Sequence, residues 1–242
     1  MILMAAKPVR RAESREVIYD DARWALLREH REKAKQVMRA LESSCLRTLV
    51  HGSLARGDVT KNSDVDIHLR EQASSFLVET ALEKAQITVN NRMLVQATPT
   101  YAVKAYIEID PKTSVSISLI RMRKVETEFY KFGGEATLSQ LVANKRVAGV
   151  NKRLMLIEPT EKGHVESSIM GCEEQTARIL GISTETIRDR VRALTKRDEV
   201  GRTGVFIKKE VSSEETFEMA LKKLSDENPA LRRKMKKMAY EG

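Results

Sequence analysis

The first half of the chain alternates between helix-type and strand-type hydrophobic patterns. Apolar residues recur at three- and four-residue steps over residues 21–43, which predicts an amphipathic helix. Strand patterns follow at Leu46–His51 and Asp64–Arg70, and a second helix pattern covers Ser75–Ala85. These elements predict a short mixed sheet flanked by helices, which is an α/β architecture.

A longer alternating stretch predicts a β-hairpin in the same domain. Residues Tyr101–Asp110 and Ser114–Met122 are two alternating runs, and Pro111–Thr113 joins them. Alternation puts the small and branched apolar residues of both runs on one face of the sheet and most polar residues on the other. We therefore expect one face of the hairpin to join the core.

The second half of the chain has the spacing of a helix-turn-helix. Ala177, Gly181 and Ile187 stand where that motif needs a small residue, a turn and an apolar anchor. The second helix is predicted over Thr184–Arg197, and Val200–Ile207 is predicted to form a hairpin wing. Together these elements predict a winged helix-turn-helix domain.

These patterns divide the chain into consecutive parts. We predict a domain at 16–125, a bridging region at 126–160, a winged helix-turn-helix domain at 161–211 and a basic helical tail at 212–242. The tail helix is expected to break at Asn228-Pro229, because proline cannot continue a helix. The aromatic residues of Phe129–Phe132 suit packing at a domain junction, and the alternative is stacking against a nucleobase.

Composition adds constraints on protein class and compartment. The 242-residue chain is 41% hydrophobic, which suffices for a core, and its net charge of +9 suits anionic partners such as nucleotides or nucleic acid. No apolar run is long enough to span a bilayer, and the N-terminal segment is too short for a signal peptide. Cys45 and Cys172 fit no metal-ligand spacing, so we expect them to be reduced and buried. These features predict a cytoplasmic protein with no membrane partner.

The stretch 51–70 carries the clearest candidate chemistry. Gly52 lets a phosphate approach the backbone, and Ser53 offers a hydroxyl beside it. Asp64 and Asp66 stand two residues apart in a strand pattern, which puts both carboxylates on one face. Adjacent carboxylates supply the oxygen ligands that Mg²⁺ prefers, and a phosphate site beside a carboxylate-bound metal is the apparatus of phosphoryl or nucleotidyl transfer. The alternative is a surface turn whose aspartates are merely solvated.

This stretch resembles the DNA polymerase β-type nucleotidyltransferase superfamily, in which Gly-Ser precedes Asp-x-Asp on a strand. It is similar to the minimal nucleotidyltransferases of archaea and bacteria in three segments, Gly52-Ser53, Ala55-Arg56-Gly57 and Ser63-Asp64-Val65-Asp66. The resemblance implies an NTP substrate bound by Gly52, Ser53, Arg56 and Ser63, and Mg²⁺ (or Mn²⁺) held by Asp64 and Asp66. It also implies that the domain at 16–125 transfers NMP to a hydroxyl acceptor and releases pyrophosphate.

The predicted hairpin is similar to one in archaeal CCA-adding enzymes, where the second strand carries a third metal-binding carboxylate. In this chain Ser118 takes the place of that third aspartate. If Asp110 pairs with Ser114, then Glu108 pairs with Ser116 and lies diagonal to Ser118 on the same face. We therefore predict Glu108 as the catalytic carboxylate that substitutes for the missing one.

The helix-turn-helix spacing resembles the winged helix-turn-helix domains of transcription regulators. This resemblance implies nucleic-acid contacts at Thr184, Glu185, Thr186, Arg188 and Arg192 on the second helix, and at Arg202 in the wing. The alternative is a helical module used only for protein contact.

Two classes of function follow from these patterns. One is a nucleotidyltransferase whose acceptor is a nucleic acid or a protein. The other is a DNA-binding regulator with a degenerate, nucleotide-sensing nucleotidyltransferase domain, a hypothesis that the serine at position 118 motivates.

Overall fold

A computed structural model describes residues 14–201 and 204–240. The strands are β1 (Arg15–Ile18), β2 (Thr48–His51), β3 (Val65–Leu69), β4 (Asn91–Gln96), β5 (Val103–Asp110), β6 (Thr113–Ser118), β7 (Glu135–Ala136), β8 (Gly149–Val150), β9 (Met155–Thr160), β10 (Gly163–Ser168) and β11 (Ile207–Glu210). The helices are α1 (Asp21–Glu42), α2 (Ser53–Arg56), α3 (Ser75–Lys84), α4 (Lys124–Gly133), α5 (Leu138–Val142), α6 (Glu173–Leu180), α7 (Thr184–Val200), α8 (Phe217–Glu227) and α9 (Pro229–Tyr240). The predicted helices and strands of the first half form close to their predicted positions, whereas β1, α4 and β10 were not predicted.

The described residues form two compact units, each assembled from separate stretches of sequence. We call residues 14–33, 50–64 and 127–201 the loop unit, and residues 34–49, 65–126 and 204–240 the sheet unit. The predicted domains at 16–125, 126–160, 161–211 and 212–242 were contiguous, and the compact units do not follow those boundaries. The boundaries of functional domains remain a prediction.

Alternating side chains build the sheet unit. Its strands are ordered β11-β4-β5-β6-β3, with β3 and β6 parallel and the other neighbours antiparallel. One face carries buried apolar side chains, among them Ile67, Ala105, Ile107, Val115 and Ile117. Because side chains alternate, the other face carries the intervening polar ones: Asp66, His68, Lys104, Tyr106, Glu108, Ser114, Ser116 and Ser118. We call this second surface the polar face.

The hairpin of β5 and β6 confirms the predicted strand pair but not its register. Glu108 lies opposite Ser114, so the predicted pairing of Glu108 with Ser116 is wrong. Two one-residue shifts account for the difference: Asp110 pairs with Thr113 and not with Ser114 at the turn, and a bulge just after Glu108 inserts an extra residue into β5. Ser118 consequently lies opposite Lys104, at the end of β6 that is far from the turn.

In the loop unit, the two predicted helices α6 and α7 form, and Gly181 joins them with a left-handed φ of 62°. Residues from both helices pack into one hydrophobic cluster with α4 and the β8–β9 region: Phe132, Val150, Leu154, Leu156, Ile169, Ala177, Ile187 and Leu194. The loop unit also contains an antiparallel sheet ordered β1-β10-β9-β8. The helix pair is thus part of a packed core.

The predicted wing is wrong for the residues that the structure describes. Val205 and Phe206 lie outside any strand, and β11 pairs antiparallel with β4 in the sheet unit. An edge strand such as β4 exposes backbone groups that need hydrogen-bond partners, and β11 supplies them. Arg202, predicted to contact nucleic acid, lies outside the described residues.

Three further expectations concern the tail, the cysteines and membranes. The tail helix breaks as predicted, because α8 ends at Glu227 and α9 begins at Pro229. Cys45 and Cys172 are free thiols, but both are exposed, so the prediction of burial is wrong. Both residues flank helix ends, where the chain turns at the surface. Within residues 14–201 and 204–240, no helix combines the length and apolar character needed to cross a bilayer.

Candidate functional site

The loop that begins at Gly52 has an open backbone. Gly52 adopts φ 79° and ψ −146° immediately before the short helix α2, a conformation that residues with a Cβ rarely adopt. A Cβ built at Gly52 would meet nothing within 4 Å, so the space above this backbone is open. Ser53 donates its hydroxyl to Ser63 Oγ at 3.1 Å, and Ser63 Oγ also accepts from the Thr60 N–H at 2.9 Å. The structure therefore brings Gly52, Ser53 and Ser63 together, and we call residues 52–63 the phosphate loop, after the role that the sequence predicts for them.

Arg56 does not fit the nucleotide-binding role that was predicted for it. Its guanidinium is buried and donates to the Gly133 carbonyl, to the Val150 carbonyl at 3.4 Å and to Asp58 at 3.0 Å. A guanidinium held by these partners stabilises the loop, because its donors are directed into the interior of the loop unit. Arg56 therefore matches the arginine of the motif by its position in the sequence, but its hydrogen bonds in the fold hold the loop in place.

On the polar face, Asp66 belongs to a row of oxygen-bearing side chains. Ser114 lies beside Asp66 in the parallel β3–β6 pair and donates its hydroxyl to Asp66 Oδ1 at 3.1 Å. Glu108 is the next residue in this row, opposite Ser114, and it accepts from Asn91 Nδ2 at 3.0 Å. Asp66 on β3, Ser114 on β6 and Glu108 on β5 are all half-buried. The residue beside Asp66 on β6 is thus Ser114, whereas Ser118, the predicted place of the missing carboxylate, lies four residues farther along β6.

The other predicted carboxylate, Asp64, lies in the loop unit immediately before β3 and is exposed. Carboxylate and hydroxyl oxygens match the donors that a hard divalent cation prefers, and Mg²⁺ commonly completes its coordination with water and substrate phosphates. The donor types of Asp64 and Asp66 therefore fit the predicted metal. Among the described residues, no set of three or more histidine, cysteine, aspartate and glutamate side chains is arranged to hold a metal ion.

The polar face continues beyond this row with further buried and half-buried residues of β3, β5 and β6. His68 Nδ1 and Ser116 Oγ are 2.9 Å apart. Burial, with the charge of Asp66 as a smaller cause, raises the pKa of Tyr106 to about 12. Burial also lowers the pKa of Lys104 to about 8, against the opposing effect of the Glu126 carboxylate. For Lys104 and Tyr106, the alternation of β5 was the signal in the sequence, because it puts both residues on the same face as Glu108.

The start of α7 differs from the predicted DNA-reading surface. Thr186 is fully buried and donates its hydroxyl to Glu128 Oε2, so its assignment as a base-contacting residue is wrong. Thr184 is half-buried, and Arg188 is exposed with Glu174 3.7 Å from its guanidinium. Arg192 is exposed. Only part of the predicted contact set thus faces solvent.

One comparison with known proteins, a match to a family model, includes the residues of the polar face. Residues 31–132 match the family model for the nucleotidyltransferase domain, which supports the polymerase β-like superfamily, a transferase activity and use of an NTP. A solved structure titled as the complex of a CCA-adding enzyme with ATP is similar at 14% sequence identity and a TM-score of 0.32. That similarity covers 91% of this chain and 51% of the other, so this chain spans about half the length of that one. No curated protein sequence matches this chain significantly.

Proposed function

We propose that the protein transfers NMP from an NTP to a hydroxyl acceptor and releases pyrophosphate. The observation that carries the proposal is the row of Asp66, Ser114 and Glu108 on the polar face. This row lies within the residues that match the nucleotidyltransferase domain, and its half-buried oxygens offer the donors that a hard cation and its bound phosphates need.

The residue roles follow the motif. Gly52 offers its open backbone, and Ser53 and Ser63 offer hydroxyl donors to phosphate oxygens. Asp64 and Asp66 would hold Mg²⁺ or Mn²⁺, which neutralises charge on the triphosphate and on the attacking oxygen when bound. In the reaction, the acceptor hydroxyl loses its proton to solvent as its oxygen bonds to the α-phosphorus, and the bond from that phosphorus to the pyrophosphate oxygen breaks, which releases pyrophosphate.

Glu108 and Ser114 together compensate for the absence of a third aspartate. Ser114 fixes the orientation of Asp66 by donating to Oδ1, as partners of metal-binding carboxylates commonly do. Glu108, held by Asn91, adds negative charge to the same row for the acceptor hydroxyl. Because Glu108 is one strand farther from Asp66 than Ser114, its longer side chain suits the role better than an aspartate would.

The proposed acceptor is a hydroxyl of a nucleic acid or of a protein. The net charge of +9 favours a nucleic acid, because a basic protein attracts its phosphates. We do not propose the DNA-binding regulator, since Glu128 occupies the start of α7 and Thr186 is buried. A carboxylate at the N-terminus of a recognition helix would repel the phosphates that this end usually attracts.

The test is incubation with each NTP labelled at its α-phosphate, Mg²⁺ and total cellular RNA or protein. We expect label in one acceptor fraction, its loss on addition of EDTA, and its near-complete loss in Asp64→Asn. Asp110→Asn is the matched control, because Asp110 accepts from the Lys112 N–H at 2.9 Å beside the hairpin turn and asparagine can do the same. Absence of label in every fraction, with a folded protein and all four NTPs, would contradict the proposal.

A further inference from the structure

One carboxylate oxygen joins α4 to the start of α7. Glu128 Oε2 accepts from the Ser183 N–H at 3.0 Å, from the Ser183 hydroxyl at 2.5 Å and from the Thr186 hydroxyl at 2.5 Å. Hydrogen bonds to an ionised acceptor are short and strong, and negative charge is favourable at a helix N-terminus. The hydroxyls that a DNA-binding helix would direct outward are therefore directed inward, onto α4.

A second contact links the same two helices and extends to β2. The Arg190 guanidinium lies over the Phe129 ring, 4.9 Å from its centroid. The rings of Phe129 and Tyr130 lie edge-on to His51, with centroids 5.9 Å and 5.0 Å away. His51 is the residue immediately before Gly52, so the aromatic residues of α4 pack where the phosphate loop begins.

The C-terminal end of α4 holds the phosphate loop directly. The Gly52 N–H donates to the Gly134 carbonyl at 2.9 Å, and Arg56 donates to the Gly133 carbonyl. Gly149 packs against this end of α4 so closely that a Cβ there would lie 2.4 Å from the Gly134 nitrogen. A displacement of α4 would therefore move the acceptors that fix the backbone of the loop.

We infer that the α6–α7 pair is an internal brace for the phosphate loop and that Glu128 is a positioning residue for NTP binding. The inference rests on the proposed function only in assigning phosphate binding to the loop. The chain of contacts runs from Ser183 and Thr186 through Glu128 to α4, and from Gly134 to Gly52. All of these residues belong to the loop unit.

The first test compares Glu128→Ala with Glu128→Gln. In Glu128→Ala we expect the Kd and KM for NTP to rise about tenfold with little change in kcat, because small displacements of binding groups weaken binding strongly. Glu128→Gln should restore most of the affinity, since all three hydrogen bonds go to one oxygen that the amide carbonyl can replace. If Glu128→Ala lowers the melting temperature but leaves the Kd for NTP unchanged, the contact is merely structural and the inference is wrong.

The second test needs no alteration of Glu128. Gly149→Ala forces a Cβ against the backbone of Gly134, whereas Lys131→Ala alters only an exposed side chain of α4. We expect Gly149→Ala to raise the Kd for NTP and Lys131→Ala to bind like the wild type. Equal affinity in the two folded variants would contradict the brace.

Hydrogen exchange of the NTP-free protein separates this inference from the proposed function. Exchange of the Gly52 amide should be faster in Glu128→Ala than in the wild type, because its acceptor on α4 moves. Lys131→Ala is the control, since Lys131 is an exposed residue of the same helix. Unchanged Gly52 exchange in Glu128→Ala would overturn the brace even if nucleotidyl transfer were found, and faster exchange would support it even if transfer were absent.

Discussion

On the polar face, Ser114 donates to Asp66, and both residues stay half-buried beside another carboxylate, Glu108. At the start of α7, two hydroxyls also donate to a carboxylate, but Glu128 Oε2 takes three donors at once and Thr186 is fully buried. The residue types are similar in the two places. The difference is that the cluster on the polar face keeps oxygens partly exposed for a ligand, whereas the hydroxyls at the start of α7 donate to Glu128 and so join two helices. Residue spacing in the sequence can identify a cluster of polar side chains. Whether a ligand can bind to that cluster depends on how deeply its side chains are buried.

The largest expected effect on the polar face comes from removing the charge of Glu108. Glu108→Gln keeps the size of the side chain and its contact with Asn91, so we expect NTP binding to persist while turnover falls by orders of magnitude. Adding Ser114→Asp to Glu108→Gln should restore part of the turnover, since it puts a carboxylate directly beside Asp66. Steady-state kinetics of the single and double variants measure both effects. Unimpaired turnover in Glu108→Gln would show that the two predicted carboxylates suffice.

A smaller effect distinguishes the observed register from the one predicted from sequence. Ser114→Ala removes the donor to Asp66, and we expect turnover to fall about tenfold, as for other partners of metal-binding carboxylates. Ser118→Ala is the matched control, because Ser118 is buried and donates only locally, to the Ile120 carbonyl at 3.1 Å. A larger loss in Ser118→Ala than in Ser114→Ala would restore the predicted placement of the missing carboxylate.

The smallest predicted effect concerns the burial of Lys104 on the same face. Burial lowers its pKa to about 8 from an ordinary 10.5, so between pH 8 and 10 the unfolded chain binds more protons than the folded chain. The free energy of unfolding should therefore rise with pH in this window, and Lys104→Met should remove the rise. Urea unfolding at pH 8 and pH 10 measures it, below the range where ionisation of Tyr106 on unfolding dominates. If the free energy of unfolding depended on pH identically in the wild type and in Lys104→Met, the Lys104 ammonium would be exposed to water in the folded protein.

The sequence predicted those features that depend on local periodicity. Alternation located β5 and β6, and the Gly-Ser and Asp-x-Asp segments located the phosphate loop and Asp66. The register was not predictable, because the pairing of Asp110 with Thr113 at the turn and the bulge after Glu108 each shift it by one residue, and neither disturbs the alternation of either strand. The β11–β4 pairing was missed for a different reason, since strand partners far apart in sequence leave no local signal.

The same limit applies to the helix pair. Its spacing predicted both helices and the turn at Gly181, but Glu128 reaches Ser183 from 55 positions earlier in the chain. No pattern within α7 indicates that this carboxylate accepts hydrogen bonds from Ser183 and Thr186 at the start of the helix. The buried partners of Arg56 were equally invisible, because Gly133 and Val150 lie far from it in sequence.

The most direct test of nucleotidyl transfer on the polar face is the turnover of Asp66→Asn. Asparagine keeps the size of the side chain and can still accept from Ser114, so only the charge is lost. With α-labelled NTP, Mg²⁺ and the acceptor that the wild type labels, we predict that Asp66→Asn loses nearly all transfer while Asp110→Asn retains it. Full transfer by Asp66→Asn would contradict the assignment of the active site to this row.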